Sequence, residues 1–407
     1  YGTIWQSDND DDGNKGTRIN YVMEQGNFGY TDEMTGAGWY ARRTNMETEI
    51  PFRHWHLNDP GVVPNVLQTG SGSPTGITVY EGTMLPKIFH GQIIHAEPGH
   101  NVVRSYPVAD AGAGYRAEIV NILEGQHDEW FRPVDVTSAP DGSVFVADWY
   151  DPGVGGHQVG DLDRGRIYRL SDDKSSYKLP PMDLSSPNGA ITALLNPNTD
   201  VRYQGWTALQ TFGAQAEPEL LVLWSSKNPR HRAQALWLLA RLDNKRKHYL
   251  VEALTDPDVN IRIAGIRAAR QLEPEPLPLV ARCVNDTSPQ VRRELALTLR
   301  SNSSEDAADL WSQLALKHDG EDRWYLEALG IAAEGNWDLY FKTWKLAAAS
   351  AWNNPAGRDI VWRSRSKLTL PHLAELINES DNNEMLRYFR AFDFHADESK
   401  QRVLAGL

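Results

Sequence analysis

Arginine returns every 30 residues in the second half of this chain, at Arg202, Arg232, Arg262 and Arg292. A spacing held over four registers limits the fold more than any single motif. Each unit must repeat one supersecondary shape and bury its apolar face on its neighbours. The residues before these arginines are Val201, His231, Ile261 and Val291, and three positions after them stand Gly205, Ala235, Gly265 and Leu295. Six and seven positions after come Ala208-Leu209, Leu238-Leu239, Ala268-Ala269 and Thr298-Leu299. On a helix these steps share one face, where small or apolar side chains pack on neighbouring helices. Asp256-Pro257 and Ser288-Pro289 read as helix starts, with an oxygen to cap the first amides and a proline in the first turn. The spacing predicts a HEAT-like α-solenoid over 201–345, in repeats shorter than the usual ~40–47 residues. A drifted fifth copy begins near Arg323, and 346–407 reads as further helical repeats or a cap, with a helical pair at 367–394. The recurring arginine is expected to hydrogen-bond the turn before its own helix.

The first 178 residues have a different rhythm. Short apolar stretches such as Gly76-Ile-Thr-Val-Tyr80, Gly91-Gln-Ile-Ile-His95 and Ser143-Val-Phe-Val-Ala147 lie between turn residues, as in antiparallel sheets. Ala139-Pro-Asp-Gly142 is a turn whose glycine supplies positive φ, and Arg166-Ile-Tyr-Arg-Leu170 makes a later strand. Strand, turn, strand, loop, strand is the pattern of a propeller blade. Residues 179–200, rich in Ser, Pro and Asn, read as a linker. The fold class expected is therefore multidomain β + α, with β-propeller blades followed by the solenoid.

Charge narrows the partners. The chain carries a net charge of −13, and 1–178 holds 25 acidic against 14 basic side chains. An acidic first half argues against a nucleic acid partner, which needs clustered Lys and Arg, and favours cation binding or solubility. No apolar run is long enough for a membrane span. With Cys283 alone, no disulfide within the chain and no thiolate metal cluster is possible. A G-x-S-x-G elbow, an HExxH helix and a Gly-rich phosphate loop are all absent.

Three stretches could carry chemistry. In Asp8-Asn-Asp10-Asp-Asp12-Gly13, alternate carboxylates precede a glycine that permits a tight turn; Asp8, Asp10, Asp12 and Asn14 could supply oxygen ligands to Ca2+, or form a solvated acidic turn. His54-Trp55-His56 reads as extended, which would point both imidazoles to one side beside Asp59. These histidines would line a pocket or hold loop carbonyls. Asp148-Trp149-Tyr150-Asp151, His157, Asp161 and Asp163 crowd one loop ahead of a strand, as a pocket wall or a loop ordered by its own carboxylates.

Several segments carry a resemblance. Asp12-Gly-Asn-Lys-Gly-Thr-Arg-Ile-Asn20 with Gly26-Asn-Phe-Gly-Tyr30, Ser73-Pro-Thr-Gly-Ile77, and Phe131-Arg132 with Pro140-Asp-Gly142 resemble segments of the soluble quinoprotein glucose/sorbosone dehydrogenase propellers. Arg53-His-Trp-His-Leu-Asn-Asp-Pro-Gly-Val-Val-Pro64 and Ala147-Asp-Trp-Tyr-Asp-Pro-Gly-Val-Gly-Gly-His157 are similar to the planctomycete-type "membrane-bound dehydrogenase"/haem-binding CxxCH family, in which a propeller precedes HEAT repeats and a cytochrome c module. The resemblance implies that this chain holds the C-terminal half of a six-bladed-type propeller and belongs to a longer parent, with its catalytic base upstream. It implies a periplasmic or extracellular sugar or alcohol dehydrogenase passing electrons to a c-type haem domain not present in this chain. His54, His56, Asp59, Arg132, Asp148 and His157 would then line the mouth. Arg132 matches the first Arg of the family's quinone-binding Arg-x-Arg-Asp, but Val134 replaces the second and Pro98 stands where a lysine is expected, which weakens the case for pyrroloquinoline quinone. The alternative is a non-catalytic, calcium-stabilised propeller with a HEAT scaffold binding carbohydrate or, on the solenoid face, a protein partner.

Overall fold

The computed structural model describes residues 1–9, 13–70, 72–153, 163–172 and 175–395. Backbone type changes earlier than the thirty-residue rhythm suggests: among the described residues the last strand ends at Leu170 and the repeat helices begin at Pro187, ahead of 201. Compactness divides the chain elsewhere. One unit gathers 1–21, 65–110 and 115–268; the other gathers 22–64, 111–114 and the chain from Ala269 onward. A long segment of the β-rich half therefore packs with later helices.

In the first unit the strands form small antiparallel sheets. The first sheet is β1 (Trp5–Asp8), β2 (Thr17–Tyr21) and β3 (Leu67–Gly70). The second is β4 (Ile77–Val79), β5 (Ile93–Glu97), β6 (Val102–Tyr106) and, after a hairpin of β7 (Val108–Ala111) and β8 (Gly114–Ala117), β9 (Val120–Glu124). The third is β10 (Pro133–Ser138), β11 (Val144–Asp148) and β12 (Arg166–Leu170). On β11 burial alternates, with Val144 and Val146 inside, the period of two that places one face on a core. Ile94, Val103, Phe131, Val136 and Val144 share one apolar cluster joining the second and third sheets; Ile19, Ile93 and Tyr106 join the first and second. Gly142 has φ +88 and closes the turn before β11, its carbonyl accepting from the Tyr80 hydroxyl at 2.7 Å.

The helical part follows the thirty-residue rhythm. Its elements, after a short α1 (Ile50–His54), are α2 (Pro187–Leu194), α3 (Thr199–Phe212), α4 (Glu217–Trp224), α5 (Pro229–Leu239), α6 (Arg246–Leu254) and α7 (Val259–Leu272). There follow α8 (Leu277–Val280), α9 (Pro289–Thr298), α10 (Glu305–Ala315), α11 (Arg323–Ala333), α12 (Trp337–Ala348), α13 (Pro355–Arg363), α14 (Leu370–Glu379) and α15 (Asn382–Asp393). Helix α2 falls inside the expected linker. Its serine and proline are helix-start chemistry: the Ser186 hydroxyl accepts from Gly189 N and Pro187 occupies the first turn. Ser288 caps α9 as expected. In α7 the capping carboxylate is Asp258, which accepts from Asn260 N at 2.8 Å; Asp256 instead holds the Asp258 amide and the Arg232 guanidinium.

The small residues of the repeat sit where helices cross. A Cβ on Gly205 would overlap Leu194 N and Ala190 O of α2, and one on Gly265 would lie 3.0 Å from the Ala253 Cβ. The repeating arginines do what the spacing suggests. Arg262 Nη1 donates to Asp256 O at 2.8 Å and Pro257 O at 3.2 Å; Arg292 Nη1 repeats this on Asp286 O at 2.7 Å and Thr287 O at 3.2 Å. Arg202 reaches Pro197 O at 3.5 Å, and Arg358, unanticipated in the sequence, reaches Asn353 O at 3.0 Å. Each guanidinium closes carbonyls of the interhelical turn that no helix amide can reach. Arg292→Ala removes two such charge-assisted bonds and should lower unfolding free energy by about 1–3 kcal/mol, measured by urea titration; an unchanged midpoint would mean the turn carbonyls are equally content with water.

Candidate functional site

In the second unit the 22–64 segment is held by polar side chains reaching in from α11, α13 and α15. Asp59 is 1% exposed. Its Oδ1 accepts from Arg390 Nε at 2.9 Å and its Oδ2 from Arg390 Nη2 at 2.6 Å, a fork on one carboxylate. Arg390 also donates to Asp32. Asp32 organises its own turn, its Oδ1 accepting from Met34 N and Thr35 N at 2.9 Å each. Burial alone would raise the Asp32 pKa; the Arg390 hydrogen bond and charge outweigh it and hold the carboxyl below its ordinary value. Burial alone would lower the Arg390 pKa, and its bonds to Asp59 and Asp32 raise it instead.

A second cluster lies on α11. Glu327, fully buried, accepts from Arg323 Nε at 2.7 Å, from Arg363 Nε at 2.5 Å and from Gly61 N at 3.2 Å. Arg323 is the drifted fifth copy of the repeat arginine. Instead of closing its own turn it donates to Asp59 O at 2.6 Å and Val62 O at 3.1 Å, with its guanidinium 4.5 Å from the Trp362 ring centre. Arg365 adds a bond to Pro60 O at 2.7 Å.

The His-Trp-His stretch is not extended. Pro51 opens the short helix α1, Arg53 ties back to Glu47 O at 2.8 Å, and His56 has φ +52, so the two imidazoles do not share a pleat face. His54 is buried between the rings of Trp39 and Trp55, 5.9 and 4.3 Å away. His56 Nδ1 lies 2.8 Å from Gly29 O; a carbonyl only accepts, so Nδ1 carries the proton. Burial, and then the Arg43 charge, lower the His56 pKa. Gly29 has φ +70, and a Cβ there would overlap the Trp55 carbonyl, so the segment folds back on itself only with glycine at that position.

Arg132 and Asp148 belong to the first unit and are brought together there. Asp148 Oδ1 accepts from Arg132 N at 2.7 Å and Tyr150 N at 3.0 Å; its Oδ2 accepts from Arg166 Nε at 2.8 Å. Arg132 gives Nη1 to Pro98 O and Nη2 to Pro152 O, both at 3.2 Å. Both Arg132 Nη atoms are thus on backbone carbonyls, and Arg166 is held by Asp148 and Asp128. Asp8 receives Arg18 Nη2 at 2.8 Å and Nε at 3.2 Å, Asn14 is buried, and Asp10, Asp12, His157 and Asp161 lie outside the described residues. Among the described residues no three His, Cys, Asp or Glu side chains are grouped to hold a metal, and no helix is long and apolar enough to cross a membrane.

A cleft of about 530 Å3 opens beside the Arg390 cluster, lined among others by Asp32, Thr35, Arg42, Arg43, Arg390 and Asp393, and a smaller one of about 310 Å3 lies beside Gly61, Arg363 and Arg365. Sequence reasoning singled out Asp59 but missed Asp32, Arg43 and Arg390. Arg390 stands 331 residues from Asp59, and nothing local marks it.

Comparison with known proteins adds two partial matches. A family model described as a domain of unknown function (DUF7133) matches residues 32–174, and a model for HEAT repeats matches 248–330, the span of α6 to α11. No curated protein matches. Among solved structures, an engineered protein is similar at 14% identity and a TM-score of 0.28 over 52% of this chain and 68% of its own. The complex of CpcE and CpcF of phycocyanin lyase from Nostoc sp. PCC7120 is similar at 16% identity and a TM-score of 0.27 over 55% of this chain and 99% of its own. At these TM-scores neither carries an argument about function.

Arg390→Met leaves buried Asp32 without its guanidinium and Asp59 with only the longer Arg43 contact at 3.6 Å, and should destabilise by about 3–5 kcal/mol. The acid side should also move. A carboxyl held below its ordinary pKa contributes stability present above the unfolded value and lost as pH falls through the folded one. Without Arg390, burial acts on Asp32 with less opposition, so the loss should begin at higher pH. Unfolding midpoints between pH 3 and 7 check this; parallel curves for both proteins would contradict it.

Proposed function

We propose that this chain is a non-catalytic scaffold that binds protein partners through its HEAT-type repeats. The observation that carries the reading is the commitment of the candidate carboxylates Asp148 and Asp59, and of the Arg132 Nη atoms, to structural bonds. Asp148 is filled by two backbone amides and Arg166, Asp59 by Arg390, and the Arg132 Nη atoms by carbonyls. A general acid or base needs an atom within hydrogen-bond reach of substrate, and these carboxylates have both oxygens engaged. Stacked helix pairs present extended surfaces to other chains, and the HEAT model matching 248–330 supports that use.

The β part belongs to the same reading as propeller-type blades. Its support is the packing of successive antiparallel sheets through Ile19, Ile93 and Tyr106, then through Ile94, Phe131 and Val144, together with meander order in the sheets. The competing reading is the quinone-dependent sugar or alcohol dehydrogenase that the sequence resembles.

Dye reduction separates the two. Supplied with Ca2+, pyrroloquinoline quinone and a panel of sugars and alcohols, the chain should reduce dye no faster than a protein-free blank. Reduction above the blank that Asp148→Asn abolishes would replace the scaffold reading with the enzyme.

A further inference from the structure

The guanidinium of Arg43 is buried on the wall of the 530 Å3 cleft with donors unmet. Its side chain is 5% exposed. Nη2 reaches Arg53 O at 3.4 Å, Nε lies 3.6 Å from Asp59 Oδ2, and Nη1 meets no acceptor. The carboxylates nearby are already taken, since Asp59 and Asp32 both hold Arg390. Buried donors without acceptors are disfavoured, and native structures rarely keep them. Burial depresses the Arg43 pKa, and the Arg390 and Arg53 charges press the same way against the Asp59 and Asp32 carboxylates. An added anion would supply the missing acceptor and offset the two neighbouring charges.

Two carboxylates, Asp32 and Asp393, also line the cleft, but each faces Arg390, so the remaining charge on the lining is that of Arg42 and Arg43. Arg42 is exposed and lines it, and Thr35 and Thr44 also line it. The volume lies within the range of small-molecule sites, about 300–1,000 Å3. A planar guanidinium presents paired N–H donors whose spacing matches the oxygens of a carboxylate or phosphate. We propose that this cleft binds a small oxyanion, a carboxylate or phosphate borne by a compound of about monosaccharide size, with Arg43 as the buried anchor and Arg42 on the rim. This site stands apart from the scaffold reading and requires no catalysis.

The test is calorimetric titration of the full chain with inorganic phosphate and, separately, glucuronate, at constant ionic strength, with glucose and chloride as controls. Saturable single-site binding of at least one oxyanion, with none of glucose, is expected, and the stronger arm identifies the head group. Arg43→Gln should weaken binding at least tenfold. Arg42→Glu, a change at an exposed position, should weaken it at least fivefold with the melting temperature unchanged, and it decides the matter if Arg43→Gln fails to fold. Neither oxyanion binding better than chloride, or binding indifferent to Arg42→Glu, would overturn the assignment.

Discussion

A guanidinium shared between two buried carboxylates organises the second unit. Arg390 on α15 holds Asp59 by a fork and Asp32 by a further bond, and each of those acids anchors a turn of the 22–64 segment. Burying a lone carboxylate is severely disfavoured, whereas a hydrogen-bonded ion pair of good geometry is tolerated. The segment has little regular structure, with α1 as its one α-helix. Its apolar anchors are few, chiefly Met23, Trp55, Val62 and Val63. Its position therefore depends on whether the helices deliver the right cations. Arg323, Arg363 and Arg365 complete the set through Glu327 and the carbonyls of Asp59, Pro60 and Val62.

The same residue type serves two structural purposes along the repeats. At Arg262 and Arg292 it closes carbonyls in the turn before its own helix, a local job that any copy of the repeat can perform. At Arg323 the arginine stands one position past the thirty-residue register and its guanidinium turns to the 22–64 segment. A repeat position with a long, charged, planar side chain is easily redirected in this way, because reach and donor geometry come with the residue and only the acceptor changes. The small residues at the helix crossings have no such latitude: Gly205 lies against the α2 backbone, where any Cβ would force the helices apart.

Carboxylates that look available in the sequence are used as fasteners in the first unit as well. Asp148 pins two loop amides and Arg166 at the end of β11, and Asp141 takes the Ser143 amide and hydroxyl and Arg169. In an acidic, turn-rich β segment, loop order rests on such bonds.

The residues alone determined the period-two strands, the thirty-residue helical rhythm, the Gly142 turn, the cap at Ser288 and the role of the repeating arginine. These are decided by contacts within one turn or one repeat, where spacing along the chain is spacing in space. Only the tertiary structure decided that His54-Trp-His56 folds around a short helix, that Asp59 is held by Arg390, and that Arg43 lines a cleft with donors unmet. Those facts depend on partners tens to hundreds of residues away. A side chain's options in the sequence are set by its chemistry; which one it takes is set by the acceptor that long-range packing brings within 3 Å.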